Sequence, residues 1–222
     1  MRIEKILVVI VVFFGSLLAC GVVHAQTPSA LVLEKSGASV PEIKPYSEIP
    51  VGTKISLPSG GRLVFLHYYT CQTVAVVGST ITFGAETYTI TGGTKEREVR
   101  APCPRTVILK AGGEVAGTLI RSGAAGGALG LTTSPTFVLV GPRADDFTAV
   151  RVSRGDKGVL EAPLEGRRFR WPIDAAPLAV DTEYELGLVP TVRGTVPVTM
   201  KFRTHSPAAT PPGDGLTLIS AE

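Results

Sequence analysis

Leu66–Phe83 reads LHYYTCQTVAVVGSTITF, and how this stretch is read decides the fold. It is rich in Val, Thr, Ile, Tyr and Phe, residues whose branched or aromatic side chains favour a pleated surface, and Gly78-Ser79 interrupts it. The expectation is strand, turn, strand. The same stretch sets His67 four residues ahead of Cys71 in a chain with three His and three Cys, which raises the question of a reactive centre. On one extended strand the two would lie about 13 Å apart, too far to share a metal ion or a proton. Cys71 is therefore read as half of a disulfide with Cys103. The latter sits in APCPRT, where Pro102 and Pro104 hold an extended segment that cannot be a central strand and suits an edge. In an oxidising compartment pairing is the default, and a loop of this length contributes about 3 to 4 kcal/mol in the chain-entropy model.

That compartment is indicated by residues 1–25. Arg2 and Lys5 form a positive region, ILVVIVVFFGSLLACGVV an apolar one, and VHA before Gln26 offers small, spaced residues for cleavage. The expectation is a signal helix and export to the periplasm or envelope. Two processing routes stay open: cleavage after Ala25, or lipidation of Cys20, since LLAC at Leu17–Cys20 resembles a lipobox. The membrane is expected to hold the protein only through this segment or that lipid.

Composition narrows the class. With 25 Gly and 17 Pro among 44% hydrophobic residues, the chain has many turns between apolar segments, an all-β profile. The net charge of +3 is spread with no basic run longer than two residues, so the concentrated patch that nucleic acid requires is absent.

Residues 26–110 carry short, punctuated apolar segments and are expected to form a small β-roll or meander holding the disulfide. Leu31-Val32-Leu33 runs to Gly37, Ile49-Pro50-Val51-Gly52-Thr53-Lys54-Ile55 makes an apolar–x–x–Gly–x–x–apolar step, and Leu63-Val64-Phe65-Leu66 follows. This part resembles the FecR-like periplasmic domain, a resemblance that implies a sensory or regulatory role. Residues 111–130, dominated by Gly and Ala, read as a linker or loop, and match neither a phosphate loop nor a dinucleotide fingerprint.

From 131 to 205 apolar and polar residues alternate, the period of strands with one buried face. Phe169 and Trp171 should point inward against Arg168 and Arg170, Tyr184, Leu186 and Leu188 against Glu183 and Glu185, and Val198, Met200 and Phe202 against Lys201 and Arg203. The segment from Thr136 to Thr204 holds about six strands. It resembles a fibronectin type III or immunoglobulin-like β-sandwich, with Leu178, Thr182 and Tyr184 in the spacing of that family's tyrosine corner and Trp171 as core tryptophan. The resemblance implies that the Tyr184 hydroxyl bonds a backbone group a few residues upstream. Residues 206–222 read as a disordered tail.

No catalytic, cofactor-binding or metal-binding set emerges. His67 and His205 lack partners in the sequence, no nucleophile-elbow, zincin or Cys-x-x-Cys motif occurs, and Asp145-Asp146 in RADDF supplies too few oxygens for calcium. Arg154-Gly155-Asp156 reads as a hairpin turn before an adhesion motif. The expected function is a non-enzymatic envelope protein that binds or scaffolds a protein or glycan partner, with a FecR-like sensory accessory as the alternative and an unrecognised hydrolase behind both.

Overall fold

A computed structural model describes residues 27–109, 115–119, 129–192, 194–196, 198–206 and 216–222. The expected signal segment 1–25 with Cys20, most of 111–130, and 207–215 of the expected tail lie outside the described residues. What is described is almost entirely β, as expected.

The first eight strands are β1 (Pro28–Ser36), β2 (Glu48–Pro50), β3 (Lys54–Ser56), β4 (Arg62–His67), β5 (Gln72–Val77), β6 (Thr80–Phe83), β7 (Tyr88–Thr91) and β8 (Thr94–Arg100). They form a sheet of order β2-β1-β4-β5-β8 and a smaller one, β3-β6-β7, every neighbouring pair antiparallel. The Gly78-Ser79 turn is where expected, but it passes the chain from one sheet to the other. Between the sheets lie Val32, Ile55, Leu63, Phe65, Val76, Ile81 and Phe83, with Phe65 and Phe83 meeting edge to face at 4.9 Å.

The remaining strands are β9 (Arg105–Leu109), β10 (Val115–Leu119), β11 (Leu129–Thr132), β12 (Thr136–Val140), β13 (Phe147–Arg154), β14 (Lys157–Pro163), β15 (Arg168–Arg170), β16 (Glu183–Pro190), β17 (Val198–His205) and β18 (Thr217–Ala221). Their two sheets run β10-β9-β18-β12-β15 and β11-β17-β16-β13-β14. The inward residues named above fill the space between them: Phe169, Tyr184, Leu186, Leu188, Val198, Met200 and Phe202 are all buried, with Trp171 and Leu178 beside them. Strands β12 to β17 are the six expected between Thr136 and Thr204. Gly155-Asp156 forms a two-residue hairpin turn between β13 and β14, with Gly155 at φ 55°.

The two units also share a core. Leu31 and Leu66 on the outer face of β1 and β4 pack with Val138 and Val140 of β12 and Leu218 of β18. Sheets therefore stack face on face, and β1, β4, β12 and β18 are buried on both sides. This explains their sequences, because a strand covered on both faces reads as a continuous apolar run, as in ALVL, LVFL and FVLV, and not as an alternation.

Four expectations need correction. The tail contains β18, which lies between β9 and β12, parallel to both, and buries Leu218, Ile219 and Ala221. Its apolar run finds cover on two faces, which a Pro- and Gly-rich approach conceals in the sequence. Strand β9, read with the first unit, belongs to the sheet of the second, and Val115–Leu119 within the supposed linker is β10, antiparallel to β9. Finally, His67 and Cys71 do not share a strand: Tyr68–Cys71 is the turn of the β4–β5 hairpin, and His67 stands opposite Gln72. The 13 Å separation expected from one extended strand does not apply, and what occupies Cys71 is its bond to Cys103.

Candidate binding site

Three connections meet where the units join. The first is the β1–β2 loop with Lys44, Pro45 and Tyr46. Tyr46 has φ 62°, a left-handed conformation uncommon for a bulky residue and often associated with functional sites. Its N–H donates to the Val32 carbonyl at 2.8 Å, and Ser47 N–H and Oγ both donate to the Lys44 carbonyl. The second is the β12–β13 connection, which leaves the sheet at Gly141, φ 87°, where a Cβ would come within 2.8 Å of Ser220 Oγ. It then makes a short 3-10 turn, Ala144–Asp146. The third is the β14–β15 connection with Glu165, Gly166 and Arg167, closed by Glu165 N–H donating to the Arg168 carbonyl at 2.8 Å.

From these connections Lys44 to Tyr46, Asp145 and Glu165 to Arg167, together with Phe147, line a cleft of about 510 Å³, within the range of small-ligand sites. Arg167 spans it, donating through Nε and Nη2 to both carboxylate oxygens of Asp145 at 2.8 and 2.7 Å, the forked geometry that fixes both groups. Those bonds hold the Asp145 carboxyl below its ordinary range. Arg143 pairs with Asp146 at 3.2 Å and donates to the Val196 carbonyl, tying the β16–β17 loop to the same end. Behind the cleft, Tyr68 donates to Glu48 at 2.9 Å. Burial pushes the Glu48 carboxyl up, against the lowering effect of its bonds to Tyr68 and the Gly141 backbone and of the Arg167 charge. Arg168 lies over the Tyr46 ring, its guanidinium carbon 6.0 Å from the centroid, and donates to the Tyr46 hydroxyl at 3.3 Å. The arrangement offers an aromatic ring, a fixed guanidinium–carboxylate plane, and exposed charges of both signs at Lys44 and Glu165. That is equipment for recognising a polar partner by hydrogen bonds and stacking.

The residues singled out in the sequence lie elsewhere. Cys71 and Cys103 are bonded with Cα atoms 4.9 Å apart, Cys71 buried and Cys103 exposed. The bond staples the β4–β5 turn to the segment that crosses between the units. His67 is fully buried, its Nδ1 3.1 Å from Thr70 Oγ1 and its ring 5.2 Å from that of Tyr88. His205, at the end of β17, lies against Gly130. The Tyr184 hydroxyl accepts the Ala179 N–H at 3.1 Å, and its ring stacks on Phe202 at 5.8 Å. Beside it Thr204 Oγ1 donates to the Ala179 and Thr182 carbonyls and accepts from Thr182 N–H. Trp171 is buried in the core, where its Nε1 meets no hydrogen-bond acceptor among the described residues. Asp145 and Asp146, which supply too few oxygens for calcium, each hold an arginine. Tyr46, Glu48 and Arg167 were missed, and the only local signal was the acidic pair in RADDF beside the basic pair in EGRR. Among the described residues no three His, Cys, Asp or Glu side chains converge as metal ligands, and no helix is long and apolar enough to cross a membrane.

No protein-family model, no curated protein and no solved structure matches the chain.

Proposed function

We propose that this chain is a non-enzymatic, exported envelope protein that binds a protein or glycan partner in the cleft at the junction of its two units. One observation carries the proposal: loops from both units converge on a single polar cleft while the sheets behind them pack through a shared apolar core. A cleft built on such a base meets its partner already ordered, so little affinity is lost to immobilising loops. Lys44, Tyr46, Asp145, Glu165 and Arg167 would make the contacts. The bonded cysteines are compatible with export.

In this reading the first eight strands are a FecR-like domain. The residues of that pattern fall on β1, on β2 and β3, and on β4, in the expected order. Strands β11 to β17 are an immunoglobulin-like sandwich, supported by the order β11-β17-β16-β13-β14 facing β12 and β15 and by the hydroxyl bond from Tyr184 to the Ala179 backbone. A sensory accessory is the second reading, and the shared core that would couple the units favours it.

Affinity capture from envelope fractions tests the proposal, using the wild-type chain, Tyr46→Ala, Arg167→Ala and the distant control Glu183→Ala. Wild type and Glu183→Ala are expected to retain the same wall glycan or outer-membrane protein and both cleft variants to lose it. Recovery of an inner-membrane receptor or kinase would favour the sensory reading, and retention by both cleft variants would remove the cleft from either.

A further inference from the structure

We propose that β8 is a self-recognition edge, pairing antiparallel with β8 of a second copy about a two-fold axis that passes between Glu96 and Arg97. Three independent features converge on this strand. First, β8 ends its sheet, and all seven of its residues, TKEREVR, are exposed. A strand of this length with one free edge is the usual template for strand addition.

Second, its charges are ordered. Charged edge strands commonly repel other strands, but here the signs run plus, minus, plus, minus from Lys95 to Glu98. Paired about an axis between Glu96 and Arg97, Glu96 faces the second copy's Arg97 and Lys95 faces the second copy's Glu98, each contact made twice; Lys95 and Glu98, already paired within one chain and with Glu98 accepting the Tyr88 hydroxyl, would share those bonds with the second copy. An axis through Glu96 or through Arg97 would instead set like charges opposite one another, which is destabilising. One register is thus favoured and its neighbours opposed. Arg97 has no acidic partner within salt-bridge distance among the described residues. Glu96 already receives Arg62, which also reaches Glu34, so the second copy's Arg97 would extend an existing row of alternating charges.

Third, the backbone allows that register because β8 is bulged. In a regular strand the groups that point to the free edge recur every second residue, so a two-fold axis between two residues would set an outward group against an inward one. The β5–β8 ladder slips at Glu96: Ala75 stands opposite Arg97 and Val76 opposite Lys95. Ala101 N–H donates to the Cys71 carbonyl. Alternating along the ladder from that bond, the backbones of Glu98 and Arg100 point to the free edge and, past the extra residue, so does that of Lys95. The outward group of Lys95 then meets the outward group of the second copy's Glu98. The bulge supplies the shift that the charge order requires.

Sedimentation of the exported chain, residues 26–222, across a concentration series tests this. The wild type is expected to dimerise reversibly and more weakly as salt is raised. Arg97→Glu, on an exposed side chain, should weaken the dimer at least about tenfold by setting two acid pairs face to face, with an unchanged far-ultraviolet spectrum. Adding Glu96→Arg to that variant should restore it in part, since the pairs across the axis are then reversed in sign and again complementary while Arg62 keeps Glu34 but loses Glu96. A chain that stays monomeric at its highest soluble concentration would overturn the proposal. So would a dimer indifferent to Arg97→Glu, or one that the double variant does not rescue.

Discussion

Removing the hydroxyl of Tyr184 probes how the second unit is fastened. The side chain is 6% exposed, and its hydroxyl accepts the Ala179 N–H at 3.1 Å. Tyr184→Phe keeps the ring and its stacking on Phe202, so no cavity forms. What is lost is the acceptor of the Ala179 N–H, a backbone donor beside the turn at Asp181, itself at φ 52°. Ala179 is itself exposed, so water can take over its N–H and the loss is that of one ordinary hydrogen bond, about 0.5 to 1.5 kcal/mol. With a urea dependence of about 2 kcal/mol per molar, the unfolding midpoint should fall by about 0.3 to 0.8 M. Thr204→Val acts on the same knot, because Thr204 Oγ1 bonds the Ala179 and Thr182 carbonyls. The double variant should therefore lose less than the sum of the single losses, as expected for two members of one network. Glu183→Ala and Glu185→Ala, on the solvent face, should stay within about 0.5 kcal/mol. If Tyr184→Phe leaves the midpoint unmoved while Glu183→Ala shifts it strongly, the hydroxyl bond is not a fastening and the facing of β16 is misjudged.

Mass mapping without reductant should find Cys71 joined to Cys103, and Cys71→Ser/Cys103→Ser should lose about 3 to 4 kcal/mol of stability; two free thiols in the untreated protein would refute this. Leu218→Ala, at a side chain 1% exposed between the two units, should cost about 2 to 5 kcal/mol by leaving a cavity, read in the same urea titration. The Asp145–Arg167 pair holds the Asp145 carboxyl low, so its contribution is present above the ordinary aspartate range, near 4, and is lost as pH falls below it. Asp145→Asn should flatten that acid limb in thermal melts taken across pH. Glu48 has the opposite sign: its carboxyl is raised by burial, so ionisation weakens the fold as pH rises from the ordinary glutamate range through the raised value, and Glu48→Gln should remove that slope.

What could be read from the sequence follows the physics of burial. Strands β13, β16 and β17 have one face in the core and one in water, and alternation announces them together with the direction each residue points. The opposite case is β18, covered on both faces and therefore without a period; five residues after a run of Pro and Gly resemble a tail. The hairpin turn at Tyr68–Cys71 was hidden for another reason, since Cys71 adopts φ 53°, a conformation that Gly or Asn would have signalled and cysteine does not. The cleft depends on segments more than a hundred residues apart, such as the loop with Tyr46 and the start of β15 with Arg168. No local pattern encodes their meeting, which follows from the stacking of β1 and β4 on β12 and β18.

The double-sided burial of these strands also sets the chain's behaviour before it folds. ALVL, LVFL, FVLV and TLIS carry no charge and no proline, and each has the β-propensity of an aggregating segment. Once paired and covered they are sealed inside the stack; in an extended chain all four are open together. Refolding yield should therefore drop steeply with protein concentration, and a chain kept unfolded for passage through a membrane would need a holding chaperone on these runs to stay soluble.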